Sequence, residues 1–174
     1  MSKYEDMSEA AAKEREKKLE YRERCHNCLL AFLRGFIRYC EIPHGQVQCL
    51  RWNRQAGEAS EFTAPVAGAG LTPPEAIEFD EQTREFVLGI RLLLGDPSER
   101  PRRWAFFPSY VHGEHDRFLT LRIGRSGKRH PMNFVQNEGW TSIYEEAIRG
   151  IKEALSRPAR TPTQKIGFTS GEMD

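Results

Sequence analysis

Cys25, Cys28, Leu29, Phe32, Leu33, Phe36 and Cys40 recur at three- and four-residue intervals, with Asn27, Arg34 and Arg38 on the opposite side. That is the period of an amphipathic helix, and Pro43 with Gly45 predicts its end near Glu41. Upstream, residues 1–24 hold seven bases and seven acids and almost no large apolar side chain. Glu9–Lys13, Glu14–Lys18 and Glu20–Arg24 stand four apart in the favourable order, so this half is expected to continue the helix as an exposed arm.

Beyond the helix the period changes to two. Gln46–Trp52 alternates and predicts a strand, whereas residues 53–75 are rich in Gly, Ala and Pro and read as a long mobile loop. Phe86, Leu88, Ile90, Leu92 and Leu94 alternate, although Phe86, Ile90, Leu93 and Leu94 also fit a helical stripe. The strand reading is preferred, in a hairpin turning at Asp80–Thr83. Arg103–Val111 is aromatic and strand-like, with Pro108 suggesting an edge or a bulge. A two-residue turn at Ser126-Gly127 would set Leu121 opposite Met132, Leu119 opposite Phe134 and Ile123 opposite His130. Leu119, Leu121, Ile123, Met132 and Phe134 then share one face, and Phe118, Thr120, Arg122, Arg129 and Asn133 the other. A closing helix follows, with Ser142 and Glu145 in capping-box spacing, an apolar stripe at Tyr144, Ala147, Ile148, Ile151 and Leu155, and a stop before Pro158.

The expected fold class is α+β: a long N-terminal helix, an antiparallel β-sheet of about four to six strands, and one C-terminal helix packed on it. The division is residues 1–41 for the charged and amphipathic helix, 42–157 for sheet and closing helix, and 158–174 for a disordered tail.

A net charge of +1 over 174 residues argues for no partner, but its distribution does. Between Glu99 and Pro131 eight basic residues face three acids, a local excess of +5. No apolar run is long enough for a membrane span or a signal peptide, so the expected compartment is the cytoplasm, with reduced thiols.

No phosphate loop, nucleophile elbow or metalloprotease motif occurs, so no enzyme activity is expected. All four cysteines, Cys25, Cys28, Cys40 and Cys49, fall within 25 residues, which raises structural zinc. Because Cys25 and Cys28 lie on the helix's apolar stripe rather than on a turn, core packing is the preferred reading, and no cofactor is expected. His112, Glu114, His115 and Asp116 in "VHGEHD" read as an exposed polar turn between strands.

The polar side of the hairpin is the stronger lead. An antiparallel ribbon fits a major groove, where arginine grips phosphate or guanine and Thr, Asn and Lys add contacts. Arg117, Thr120, Arg122, Arg125, Lys128, Arg129 and Asn133 are the candidates, and nucleic acid, DNA before RNA, is the expected partner. Two unpaired guanidiniums would be costly to bury, which argues that this face stays wet. The other reading is a protein-interaction or inhibitor module docking through its N-terminal helix or a sheet edge.

"SYVHGEHDRFLTLRIGRSGKRHPMNF" followed by "SIYEEAIRGIKEAL" resembles the AP2-type and integrase arm-type DNA-binding domain over residues 109–155. The likeness lies in Arg122-Ile123 ending a strand, Gly127–Arg129 in the turn and Glu145–Ala147 in the helix. It implies a three-stranded sheet packed on one helix, with Arg122, Arg125, Lys128 and Arg129 facing DNA.

Overall fold

Ser2 caps the first helix: its hydroxyl accepts from the Glu5 amide at 3.3 Å, and the Glu5 carboxylate accepts from the Ser2 amide at 2.6 Å. From this box α1 runs Lys3–Tyr39 for 37 residues, about 55 Å at 1.5 Å per residue. The computed structural model describes residues 2–51, 72–96, 98, 100, 102–114, 118–132, 139–157 and 169–173. Every residue from 2 to 20 is exposed and the first buried one is Cys25, so the arm stands clear of the body. The Glu9–Lys13 and Glu14–Lys18 pairs form at 2.6 and 3.0 Å. Six of the seven stripe residues are buried, and Cys40 becomes the C-cap. The turn beyond it closes with Glu41 at φ 51° and the Ile42 amide on the Ile37 carbonyl at 3.0 Å.

The strands are β1 (Val47–Leu50), β2 (Glu78–Asp80), β3 (Glu85–Leu94), β4 (Arg102–Glu114), β5 (Phe118–Ile123), β6 (Arg129–Met132) and β7 (Thr169–Met173), with α2 (Pro73–Ala76) before β2 and α3 (Trp140–Leu155) before β7. Among the described residues they make one seven-stranded antiparallel sheet in the order β1-β3-β4-β5-β6, with β2 beside β3 and β7 beside β4. The class is α+β. No described helix is long and apolar enough to cross a membrane.

Local chemistry explains several boundaries. The β2–β3 hairpin turns at residues 81–84, where the Asp80 carboxylate accepts the Gln82 and Thr83 amides at 2.9 and 3.4 Å and Arg84 takes φ 56°. Pro108 lies in the central strand β4 rather than at an edge or bulge. Its missing N–H falls in the gap between β7, which pairs with residues up to Phe106, and β5, which pairs from Ser109 onward, so no ladder bond is lost. His112 and Gly113 continue β4 instead of turning; His115, Asp116 and Arg117 lie outside the described residues.

Both long helices cover the same side of the sheet. Phe107 of β4 meets Phe32 and Phe36 of α1 in edge-on contacts at 6.5 and 5.6 Å, and Tyr144 of α3 packs on both rings at 5.9 and 6.1 Å. The helices approach closely because residue 35 is glycine; a Cβ there would sit 1.8 Å from the Tyr144 hydroxyl. Leu88, Ile90, Leu119, Leu121 and Ile123 complete this core. The opposite side holds a smaller cluster of Leu50, Val87, Phe106 and Tyr110, with Trp104 against it.

Three expectations are corrected. The closing helix starts at Trp140 with Gly139 as its N-cap, and the Ser142 hydroxyl donates to the Gly139 carbonyl instead of capping the helix. Part of the presumed tail, Thr169–Met173, is a strand along β4, held further by the Ser170 hydroxyl on the Ala154 carbonyl at 3.0 Å. Of the expected loop at 53–75, residues 53–71 lie outside the described residues, and its end forms the short helix α2, where the Glu75 carboxylate accepts the Thr72 amide.

Candidate nucleic-acid interface

The hairpin carrying the candidate residues pairs Leu119 with Met132, Leu121 with His130 and Arg122 with Arg129. That is two residues away from a tight Ser126-Gly127 turn. Because the slip is even, the inner face keeps Leu119, Leu121, Ile123 and Met132, while Phe134 lies outside the described residues. The wider loop is closed by Arg122, whose guanidinium donates to the carbonyls of Gly124, at 3.1 Å, and Arg125. Gly124 makes the bend at φ 73°, a conformation cheap for glycine, while its amide donates to the Pro108 carbonyl at 2.8 Å.

Arg122 is therefore not available to a partner. Its side chain is 14% exposed and its NH2 lies 2.7 Å from the Glu85 carboxylate, itself 4% exposed. The guanidinium lies 3.9 Å from the Tyr110 ring centroid, reaching across β4 from β5 to β3. Pairing removes the cost that argued for a wet Arg122. A second arginine on this side, Arg91, is also buried, at 8% exposed, but without a carboxylate among the described residues: it lies 5.2 Å from the Trp104 ring centroid and 3.5 Å from the Gln48 side-chain oxygen.

The other candidates stay nearer the surface. Lys128 and Arg129 are exposed, Arg125 is half-buried, and Thr120 is half-buried with its hydroxyl donating to the His112 carbonyl at 3.3 Å. Phe118, on the outer face with Thr120 and Arg129, is 63% exposed. Glu146 of α3 sits beneath the turn, accepting the Lys128 amide at 3.3 Å and a His130 ring nitrogen at 2.6 Å. Arg117 and Asn133 lie outside the described residues. Glu85 and Tyr110 were not read from the sequence. The available signal was a carboxylate at the mouth of the apolar run "EFVLGIRLLL".

The chain matches no family model, no curated protein and no solved structure. β4, β5 and β6 form an antiparallel triplet followed by α3 on the inner side, and the outer side of the β5–β6 ribbon carries the exposed Phe118 and Arg129.

The cysteines do not converge. No group of three or more His, Cys, Asp or Glu side chains placed to hold a metal ion occurs among the described residues. Cys25, Cys28 and Cys49 are buried thiols. Burial pushes them from 9.0 up to about 11, 12 and 11, and burial raises the Tyr21 phenol from 10.0 to about 12. The unfolded chain therefore releases these protons first. Their contribution to stability is complete below about pH 9 and is lost as pH rises toward the folded values. The urea midpoint is expected to fall between about pH 8 and about pH 10.5, and a constant midpoint over that interval would contradict the buried-thiol assignment.

Proposed function

We propose that this is a non-enzymatic nucleic-acid-binding protein that meets duplex DNA with the outer face and tip of the β5–β6 ribbon. One observation carries the reading. The ribbon's inner side is buried through Leu119, Leu121 and Met132, while its outer side and tip expose Phe118, Lys128 and Arg129. Lysine and arginine at a ribbon tip position a protein on phosphates, and an exposed aromatic beside them packs on sugars or thymine methyls. Arg122 acts one layer behind, holding the wide turn in shape through the carbonyls it binds. Thr120 and Arg125 flank the contact surface.

Retention of a labelled duplex at low salt tests this. The Lys128→Ala/Arg129→Ala pair is expected to weaken binding about tenfold or more, because two phosphate contacts and their released counterions are lost. Both side chains are exposed, so the thermal midpoint should hold. A wild-type protein that does not retain duplex, or a pair variant that binds as tightly, would remove the reading.

A second reading has its own observation, the fully exposed arm at residues 2–20 of α1. A charged helical arm that buries none of its residues against the described part of the chain suits docking on another protein. Loss of duplex binding on removing Lys128 and Arg129 belongs to the first reading alone.

A further inference from the structure

At the opposite edge of the sheet from the ribbon, α1 crosses the β2–β3 corner over a cleft of about 740 Å³, within the size range of small-molecule sites. Its floor is aromatic. Tyr21 and Phe86 lie 5.9 Å apart, and Phe86 and Phe79 4.9 Å apart, giving a continuous row of rings. Phe79 is 47% exposed on the short strand β2, so its ring is open to a planar group entering the cleft.

The rim is cationic. Lys18 and Arg22 reach the cleft from α1 and Arg84 from the β2–β3 turn, while no carboxylate lines it among the described residues. Lys18 is shared with Glu14 at 3.0 Å, which leaves the two arginines as the principal charges. They are close to the floor: Arg22 helps lower the basicity of His26, after burial, and Arg84 acts on the Tyr21 hydroxyl. The neutral form of His26 is thereby favoured, edge-on to Phe86 at 5.3 Å.

The walls are fixed rather than loose. The Gly113 amide donates to the Tyr21 hydroxyl at 2.9 Å, and a Cβ at residue 113 would come within 2.3 Å of the Tyr21 ring. His112 Nδ1 bonds the Arg84 carbonyl at 3.0 Å, tying the turn to β4. Arg84 itself is held at φ 56°, a backbone conformation uncommon for a side chain of this size. A rigid row of rings under two guanidiniums suits a flat heteroaromatic ring joined to a phosphate. Rings stack on the floor, and arginine is the side chain best shaped for phosphate oxygens.

We propose that the cleft between α1 and the β2–β3 corner binds a nucleoside monophosphate, its base on the exposed ring of Phe79, which Phe86 backs from the core, and its phosphate between Arg22 and Arg84. This site shares no residue with the ribbon and does not rest on duplex binding.

Calorimetric titration of the full chain with adenosine 5′-monophosphate tests it, with adenosine and inorganic phosphate as parallel arms. The monophosphate is expected to bind, and each half alone to bind at least about tenfold more weakly. Phe79→Ala should weaken the monophosphate about tenfold, through lost stacking. Arg84→Gly, which keeps the positive φ while removing the guanidinium, should do the same. Arg84 is exposed, so its variant should keep the wild-type thermal midpoint, whereas Phe79→Ala also gives up its contact with Phe86 and should lower the midpoint slightly; Lys128→Ala/Arg129→Ala should leave this titration unaltered. Absence of binding would overturn the proposal. So would phosphate binding as tightly as the monophosphate, since the rings would then play no part, or an Arg84→Gly variant of full affinity.

Discussion

Replacing Glu85 with alanine is expected to cost about 3–5 kcal/mol of stability, because it strands the Arg122 guanidinium in a nearly dry site. The carboxylate is 4% exposed and its partner 14%, so neither can regain water without opening the sheet. The effect is asymmetric. Arg122→Met, which removes the charge but keeps a long chain over Tyr110, should be milder in a variant that already lacks Glu85 than in the wild type. A double-mutant cycle from urea midpoints reads this coupling directly. A Glu85→Ala cost below about 1 kcal/mol would mean that the pair behaves as a surface ion pair, contrary to its role in holding the ribbon.

Phe107→Ala should cost about as much, roughly 3–5 kcal/mol, for a different reason. Phe107 is 0% exposed, and its ring meets Phe32 at 6.5 Å and Phe36 at 5.6 Å. It is thus the point at which β4 receives α1, with Tyr144 of α3 against the same two phenylalanines. Truncation leaves a cavity that three elements would have to close together. Phe118→Ala is the control: at 63% exposed it should change stability by no more than about 0.5 kcal/mol while weakening duplex binding. Denaturation of the two variants side by side separates a ring that builds the core from a ring offered to a partner. A loss under about 1.5 kcal/mol for Phe107→Ala would place α1 elsewhere.

The sequence disclosed what depends on local period. The stripe from Cys25 to Phe36 set the face that α1 buries, and alternation from Phe86 to Leu94 set the inner face of β3. Alternation in β5 survived an error in turn length, because a slip of two residues returns every side chain to its own face. What it withheld depends on distant partners. Arg122 read as solvent-facing because nothing near it in the chain neutralises it; its carboxylate stands 37 positions away on β3. Thr169–Met173 carries no alternating apolar pattern, and it is a strand only because β4 offers an edge between Arg102 and Phe106. The cleft draws on α1, β2, β3 and β4 at once, so no window of the chain contains it. The cysteines followed the helix period: Cys25 and Cys28 lie along the buried stripe of α1 and Cys49 on β1, in the same core.

The salt dependence of duplex binding shows whether the ribbon meets phosphate. If Arg125, Lys128 and Arg129 neutralise two to three phosphates while Arg122 stays within the fold, a plot of log affinity against log salt should have a slope of about −2 to −3. In Lys128→Ala/Arg129→Ala the slope should shrink toward about −1. A slope that stays the same in that variant, or binding indifferent to salt, would mean that Lys128 and Arg129 do not meet phosphate.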